Sequence, residues 1–392
     1  MDYRETEEQK MIRDMVHKFA QNEIKPISIE YDRKPNAQDT YPWDLLKKAS
    51  ALGLRTMSVP AEYGGGGIKD LTTLMLVVEE LGYGDNGFAA SIRHTIGLSA
   101  WMDALCTKAQ KDEFFPQIVK DDTFVTAYAG TEPNSGTDNA MLAEVPGAGM
   151  QTYAEKVGDD YIINGAKHFI SNGGIAKLLL LSARTDRKLP LSQCRSVFLV
   201  PSNTPGLTVG KHHNKLGRRL INSGQLFFDN MRVPARNMVK RETDAAKFQS
   251  FLIPATMIGT FRDAYDEVVA HCTTRIQGGK PIIRHQLVAA EISSMRVKIE
   301  AARALLYRQA WCWQNKYEYD NQLTLLIRPM LNQITGHMAY QIQELCGAPG
   351  VDKEMRFEKL SRDLLTMVHG PSTYAGYVRG APGYVPQTEL NG

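Results

Sequence analysis

Nowhere in this 392-residue sequence does an apolar run approach the ~18–20 residues that span a bilayer, and the opening stretch MDYRETEEQK lacks the apolar core of a signal peptide. Both absences point to a cytoplasmic protein with no membrane partner. Charge of one sign is missing too. The chain sets 46 basic residues against 43 acidic ones, and no block of Lys and Arg is dense enough to follow a phosphate backbone, so nucleic acid is not an expected partner. Cysteine is sparse, and Cys106, Cys194, Cys272, Cys312 and Cys346 form no C-x-x-C pair, which fits neither a disulfide framework nor a zinc site. Alternating βα units are absent as well. GGGG at 64–67 follows VPAEY rather than a strand, and GGK at 278–280 runs into Pro281 instead of Ser or Thr, so neither glycine cluster has the context of a nucleotide loop.

What is present divides the chain into three. Met11, Ile12, Met15, Val16 and Phe19 recur at helical spacing, and DLTTLMLVVEELG (70–82) has an N-cap Asp70 and a terminal Gly82, so residues 1–121 are expected to form a helical domain. From 122 to 236 the texture changes to short β-rich runs: TFVTAYAG, YIINGAKHFIS with a turn at Asn164-Gly165, AKLLLLSAR, SVFLVPS and GQLFFDNMRVP. Residues 237–392 return to helices. There Val288, Ile292, Met295, Ile299, Ala302 and Leu306 step by fours and threes, the seam of a helix in a bundle. The expected fold is mainly α with a central β-domain.

Two stretches of the middle region carry polar chemistry. YAGTEPNSGTD (128–138) crowds hydroxyl side chains and exposed backbone N–H groups into one turn, suited to a ring edge or a phosphate. HFISNGG (168–174) sets an aromatic and a hydroxyl before a glycine pair. Taken alone, each is a turn or a hairpin. Together, at this spacing, they resemble the acyl-CoA dehydrogenase family, whose middle domain carries T-E-P-x-x-G-S/T-D followed by W/F-I-T/S-N-G. VPAEYGG, EELG, MRVPARN, TRIQGGKPI, QELCGAPGV and FEKLSRD continue the resemblance in order, with Gly278 in place of the family's Phe.

The resemblance implies an N-terminal helical domain, a middle β-barrel and a C-terminal four-helix bundle. It further implies FAD as cofactor, an acyl-CoA substrate, an electron-transfer flavoprotein or another acceptor as partner, and a homotetramer. Residue by residue, it places Tyr128, Gly130, Thr131, Gly136 and Thr137 at the turn that contacts the flavin and its linker, and Phe169 and Ser171 beside the isoalloxazine. Arg275 matches the arginine on the pyrophosphate, chemistry that suits a guanidinium fork. Gln277, Gln343 and Gly347 match positions that reach the FAD of a neighbouring subunit.

The chain departs from the family at the base. Family chemistry removes the α-proton of the thioester with a glutamate while the β-hydride goes to the flavin. One family position for that glutamate holds His369 here, before Gly370-Pro371, and the other holds Gln249, followed by Ser250 instead of Arg. Three readings stay open: His369 as the base, since an unperturbed imidazole pKa of about 6.5 lets it accept a proton near neutrality; a flavin-containing lyase that expels a β-substituent without net oxidation; and a noncatalytic partner subunit with His369 at a helix end. Arg93, in RHT, falls on the segment that lines the far end of the family's acyl pocket. There it either selects a polar or anionic acyl end or forms a salt bridge to an acid such as Asp85.

Overall fold

The computed structural model describes residues 4–141, 144–239 and 247–368. Helices α1 (Glu7–Phe19), α2 (Lys25–Asp32), α3 (Trp43–Ala51), α4 (Leu71–Gly84), α5 (Asn86–Leu105) and α6 (Lys108–Lys120) come first, with a π-turn at Ala20–Ile24. The middle of the chain holds β1 (Thr126–Ala129), α7 (Asp138–Met141), β2 (Tyr153–Val157), β3 (Asp160–Ser171), β4 (Leu178–Arg184), α8 (Leu191–Cys194), β5 (Arg195–Pro201), β6 (Leu207–His212), β7 (Ser223–Pro234) and β8 (Met238–Val239). Last come α9 (Lys247–Thr274), the hairpin β9 (Ile276–Gln277) and β10 (Lys280–Pro281), α10 (Gln286–Gln314), α11 (Asn321–Cys346) and α12 (Arg356–Val368).

One hydrophobic core joins the first and last groups of helices. Val16 and Phe19 of α1, Leu74 and Val78 of α4, and Ile92 of α5 pack with Phe261 of α9, Ile299 of α10, Leu331 of α11 and Leu364 of α12. The expected seam of α10 lies inside this core. Met11 does not follow its neighbours on α1 and is 74% exposed, because the buried stripe is narrower than the run of apolar residues. Asp70 caps α4 through Thr73 N, as expected.

Gly82 is not a terminator. The helix continues to Gly84, and a Cβ at Gly82 would lie 2.2 Å from the Thr256 carbonyl oxygen. Gly259 on α9 has the same function in reverse, since its Cβ would meet the Glu79 carbonyl at 1.8 Å. Two glycines therefore let α4 and α9 cross backbone against backbone.

The β-strands form one eight-stranded sheet in the order β6-β7-β3-β2-β4-β5-β8, with β1 pairing β4 in parallel. Leu178 and Leu180 of β4 face a core with Phe114 and Phe115 of α6, while Leu179 and Leu181 face the sheet's own core. Covering on both sides explains the unbroken leucine run. The turn expected at Asn164-Gly165 is instead a bulge within β3: the strand runs on to Ser171 with a register shift between Ile163 and Gly165. Gly165 has φ +145°, and a Cβ there would press on Thr152.

At the α4–α9 crossing, fully buried Glu79 accepts from Arg262 (2.7 Å) on α9 and from Arg303 (2.9 Å) and Tyr307 (2.7 Å) on α10. Glu80 takes the same Arg262 at 2.6 Å and His17 of α1 at 2.8 Å. Replacing Arg262 by Met leaves two buried carboxylates short of a cation. Urea unfolding is expected to show a loss of about 3 kcal/mol, the low end for a broken buried pair because Arg303 and His17 remain; a loss under about 0.5 kcal/mol, the scale of an ordinary surface change, would contradict this account.

Candidate active site

Tyr128 is the exposed residue of β1, its three neighbours being buried. The strand leads into the turn of Gly130, Thr131 and Glu132, which is fastened from beneath. Lys167 of β3, fully buried, donates from Nζ to the Gly130 carbonyl (3.0 Å) and to Glu132 Oε1 (2.8 Å). Glu132 also accepts the backbone N–H groups of Gln151 (2.6 Å) and Thr152 (2.9 Å). His168 N donates to the Thr131 carbonyl at 2.8 Å. Burial brings the Lys167 pKa down to about 8, with Glu132 opposing the shift. Burial acts to raise Glu132, but Lys167 and the two N–H donors hold it below its ordinary value. Gly136 and Thr137 lie exposed at the far end of the turn, where Gly136 N donates to Asp138 (2.6 Å).

Directly after Lys167 the register of β3 against β7 slips again, between Lys167 and Ile170. The slip puts Phe169 at φ +55°, a conformation uncommon for a bulky residue, and leaves its ring 58% exposed. His213 stacks on that ring at 4.1 Å and 24° and meets His168 at 4.5 Å. Burial and the neighbouring His168 push His213 below its ordinary pKa, so the stacking ring is neutral near pH 7. Ser171 ends the strand, and Asn172 (φ +60°) ties it to the helices. Its Nδ2 donates to the carbonyls of Ser91 (3.2 Å) and Thr126 (3.1 Å), and its Oδ1 accepts from Ser91 Oγ (2.8 Å).

Ser91 lies two residues before Arg93 on α5. Arg93 is buried and lines a cavity of about 20 Å³ with Arg218, Arg328, Asn86, Thr256 and Met367. Asp85, the acid named as an example of a partner for Arg93, is engaged by two other groups. Asp85 caps α5 through Phe88 N (2.9 Å) and gives its other oxygen to Lys359 of α12 (2.5 Å). His369 lies outside the described residues, one past the end of α12. Gln249 falls in the first turn of α9, and its side chain is likewise outside the description.

The remaining expected residues form a second group at the ends of the bundle helices. Arg275 and Gln277 are exposed on the β9–β10 hairpin, a two-stranded sheet apart from the large one. Its turn has Gly278 at φ +58° and Gly279 at φ +76°, backbone that glycine adopts without strain. Gly347 closes α11 at φ +62°, and Gln343 donates to the Gly350 carbonyl and to Ser361 Oγ, both at 2.8 Å. Sequence reading missed Lys167, Glu132, Asn172, His213, Arg218 and Arg328. Glu132 sits inside the quoted turn motif and could have been found there; Lys167 stands in a quoted strand whose alternation gives no sign of its burial, and the two arginines carry no local signal.

Because Lys167 and Glu132 hold the turn in shape, Lys167→Met is expected to strand a buried carboxylate, cost roughly 3–5 kcal/mol and loosen the turn. If the turn holds a flat cofactor, the purified variant shows a lower ratio of flavin to protein absorbance than the parent. Unchanged stability would contradict the tether.

Family models for the acyl-CoA dehydrogenase N-terminal, middle and C-terminal domains match residues 6–122, 127–231 and 244–371. The chain is similar to the short-chain specific acyl-CoA dehydrogenase of Clostridium acetobutylicum, 31% identical over 93% of this chain and 94% of that protein. It is 33% identical, over 93% of this chain and 94% of the relative, to the cyclohex-1-ene-1-carbonyl-CoA dehydrogenase of Geobacter metallireducens. Among solved structures, butyryl-CoA dehydrogenase from Megasphaera elsdenii superposes with a TM-score of 0.86 at 27% identity, covering 98% of this chain and 99% of that one. A glutaryl-coenzyme A dehydrogenase in complex with glutaryl-CoA gives 0.83 at 26%, covering 94% and 92%. With three domains matched in order along nearly its whole length, the chain belongs to the acyl-CoA dehydrogenase family.

Proposed function

We propose that the protein is an FAD-dependent enzyme that desaturates an acyl-CoA thioester between its α and β carbons, with His369 as the base. The observation that carries this reading is the open face made by Tyr128, Phe169 and the Thr131 turn, with Lys167 and Glu132 buried behind it. Such a face fits FAD. Large aromatic side chains are exposed on a β-domain beside free backbone and hydroxyl donors, and Gly130 keeps clear the space under the Tyr128 ring, where a Cβ would approach to 2.8 Å. Tyr128, Gly130, Thr131, Gly136, Thr137, Phe169 and Ser171 would hold the flavin and its linker. Arg275, Gln277, Gln343 and Gly347, grouped at the bundle end, would serve the flavin of a neighbouring subunit in a homotetramer.

When bound, FAD supplies the two-electron acceptor for the β-hydride, and a protein carrier such as an electron-transfer flavoprotein reoxidises it. The chain's own task is the proton. His369 takes the α-proton on its neutral imidazole, and hydrogen-bond donors on the thioester oxygen stabilise the enolate that develops. Gln249, where other members keep a glutamate, contacts substrate without acting as a base.

His369→Gln is expected to abolish anaerobic flavin bleaching by acyl-CoA while FAD stays bound. In the parent the rate rises with pH through about 6.5, because only the unprotonated imidazole accepts a proton. A mutant that bleaches at the parental rate would remove His369 from the mechanism. Release of an anion from a β-substituted acyl-CoA without lasting bleaching would favour the lyase reading, which the lack of a carboxylate at 369 and 249 keeps in play.

A further inference from the structure

A cavity of about 650 Å³ opens where the start of α1, the start of α4 and the second half of α10 meet, and none of the residues assigned above to flavin or thioester lines it. That volume is in the range of small-molecule sites. Its three walls are fixed to one another through Asp70. The carboxylate accepts the Thr73 N–H of its own helix at 2.7 Å, Gln9 of α1 at 3.0 Å and Gln314 of α10 at 2.5 Å. Gln314 also accepts the Leu71 N–H at 2.6 Å. The cleft is therefore built on helices locked in place before any ligand arrives.

The polar groups of the walls are matched on one side only. Of the carboxylates, Glu5 pairs with Arg13, Glu300 with Arg296 at 2.8 Å, and Asp70 with the donors just given. Arg303 and Tyr307 turn their polar ends away to Glu79, at 2.9 and 2.7 Å. Among the described residues, three donors on the walls are left over: the Arg308 guanidinium, the Trp311 indole N–H and the Thr72 hydroxyl. Arg308 and Trp311 stand three residues apart on α10 and so share a face of the helix. Tyr317 braces the indole, with ring centroids 4.9 Å apart. Leu76 and Leu305 add apolar surface. Committed carboxylates, leftover donors and an aromatic wall fit a ligand that brings acceptors on a flat body. We propose that this cleft binds a planar aromatic anion, its ring against Trp311 and its phosphate or carboxylate on Arg308, with Thr72 as a further donor. A guanidinium forks onto either anionic group, and either a nucleobase or a benzene ring stacks on an indole. A nucleoside monophosphate and an aromatic carboxylic acid are thus two sources of one chemistry. The proposal does not depend on the desaturation reading.

Calorimetric titration of the holoenzyme with AMP, benzoate, adenosine and inorganic phosphate tests this, since the last two each carry half of the chemistry. AMP or benzoate is expected to bind with a Kd below about 1 mM, and adenosine and phosphate at least ~10-fold more weakly. Binding by AMP alone identifies a nucleotide as the ligand, and binding by benzoate alone an aromatic acid; either supports the site. Arg308→Met and Trp311→Leu are each expected to weaken binding roughly 10-fold, and Arg308→Lys to restore part of the loss. Flavin absorbance and acyl-CoA affinity stay as in the parent, which separates this cleft from a site beside the flavin. Arg308 is exposed, so its variants keep the parental melting temperature and a loss of binding in them is not unfolding. No binding of AMP or benzoate below that limit overturns the proposal. So does an affinity that Arg308→Met leaves intact, or adenosine binding as tightly as AMP. Anaerobic bleaching by acyl-CoA is read separately, and failure of the cleft leaves it unchanged.

Discussion

The ammonium group of Lys359 holds together the elements on which the site depends. It is buried on α12 between Asp85 (2.5 Å) and Asp363 (2.7 Å), both also buried. Asp85 caps α5, the helix of Arg93, and Asp363 accepts the backbone N–H of Arg218. One cation therefore fixes the start of α5, the loop of Arg218 and the rotation of α12. Burial raises the Asp85 carboxyl, with Lys359 resisting. It acts the same way on Asp363, but Lys359 and the Arg218 N–H keep that group low. Such an arrangement contributes little net stability against an apolar replacement. Its effect is on register, since sliding α12 by one turn would carry Lys359 away from Asp85 and leave that buried carboxylate without its cation.

Asp363 and Asp85, the carboxylates that favour the charged form of Arg218, are both also engaged by Lys359, and Arg93 and Arg328 line the same small cavity as Arg218. Elsewhere the buried ions are matched: Glu79 and Glu80 with Arg262 and Arg303, Asp263 with Arg356 and Lys25, Asp32 with Arg362.

Local order was legible in the sequence, and long-range meetings were not. The Asp70 cap, the α10 seam and the β-runs each depend on residues close in sequence, and each forms as expected. Gly82 and Asn164-Gly165 misled for one reason: glycine marks either a chain ending or a close approach, and only the partner decides which. Thr256 and Thr152, the residues that need the room, lie 174 and 13 positions away. The turn at 128–138 could be recognised because its chemistry sits in one motif. Lys167 beneath it could not be assigned, since a lysine in an alternating strand normally faces water and only the slip before Ile170 turns the neighbouring Phe169 out instead. The arginine trio had no signature at all, its members being separated by more than a hundred residues at each step.

His94, beside Arg93 and Arg218, shows what these surroundings do to an imidazole: burial first, and then those two arginines, hold it far below its ordinary pKa. A carboxylate beside the same arginines would be stabilised as the anion. Positive charge therefore lowers the pKa of either kind of group, but a carboxylate is already ionised at neutral pH and only loses basicity, whereas an imidazole gains population of the unprotonated form that accepts a proton.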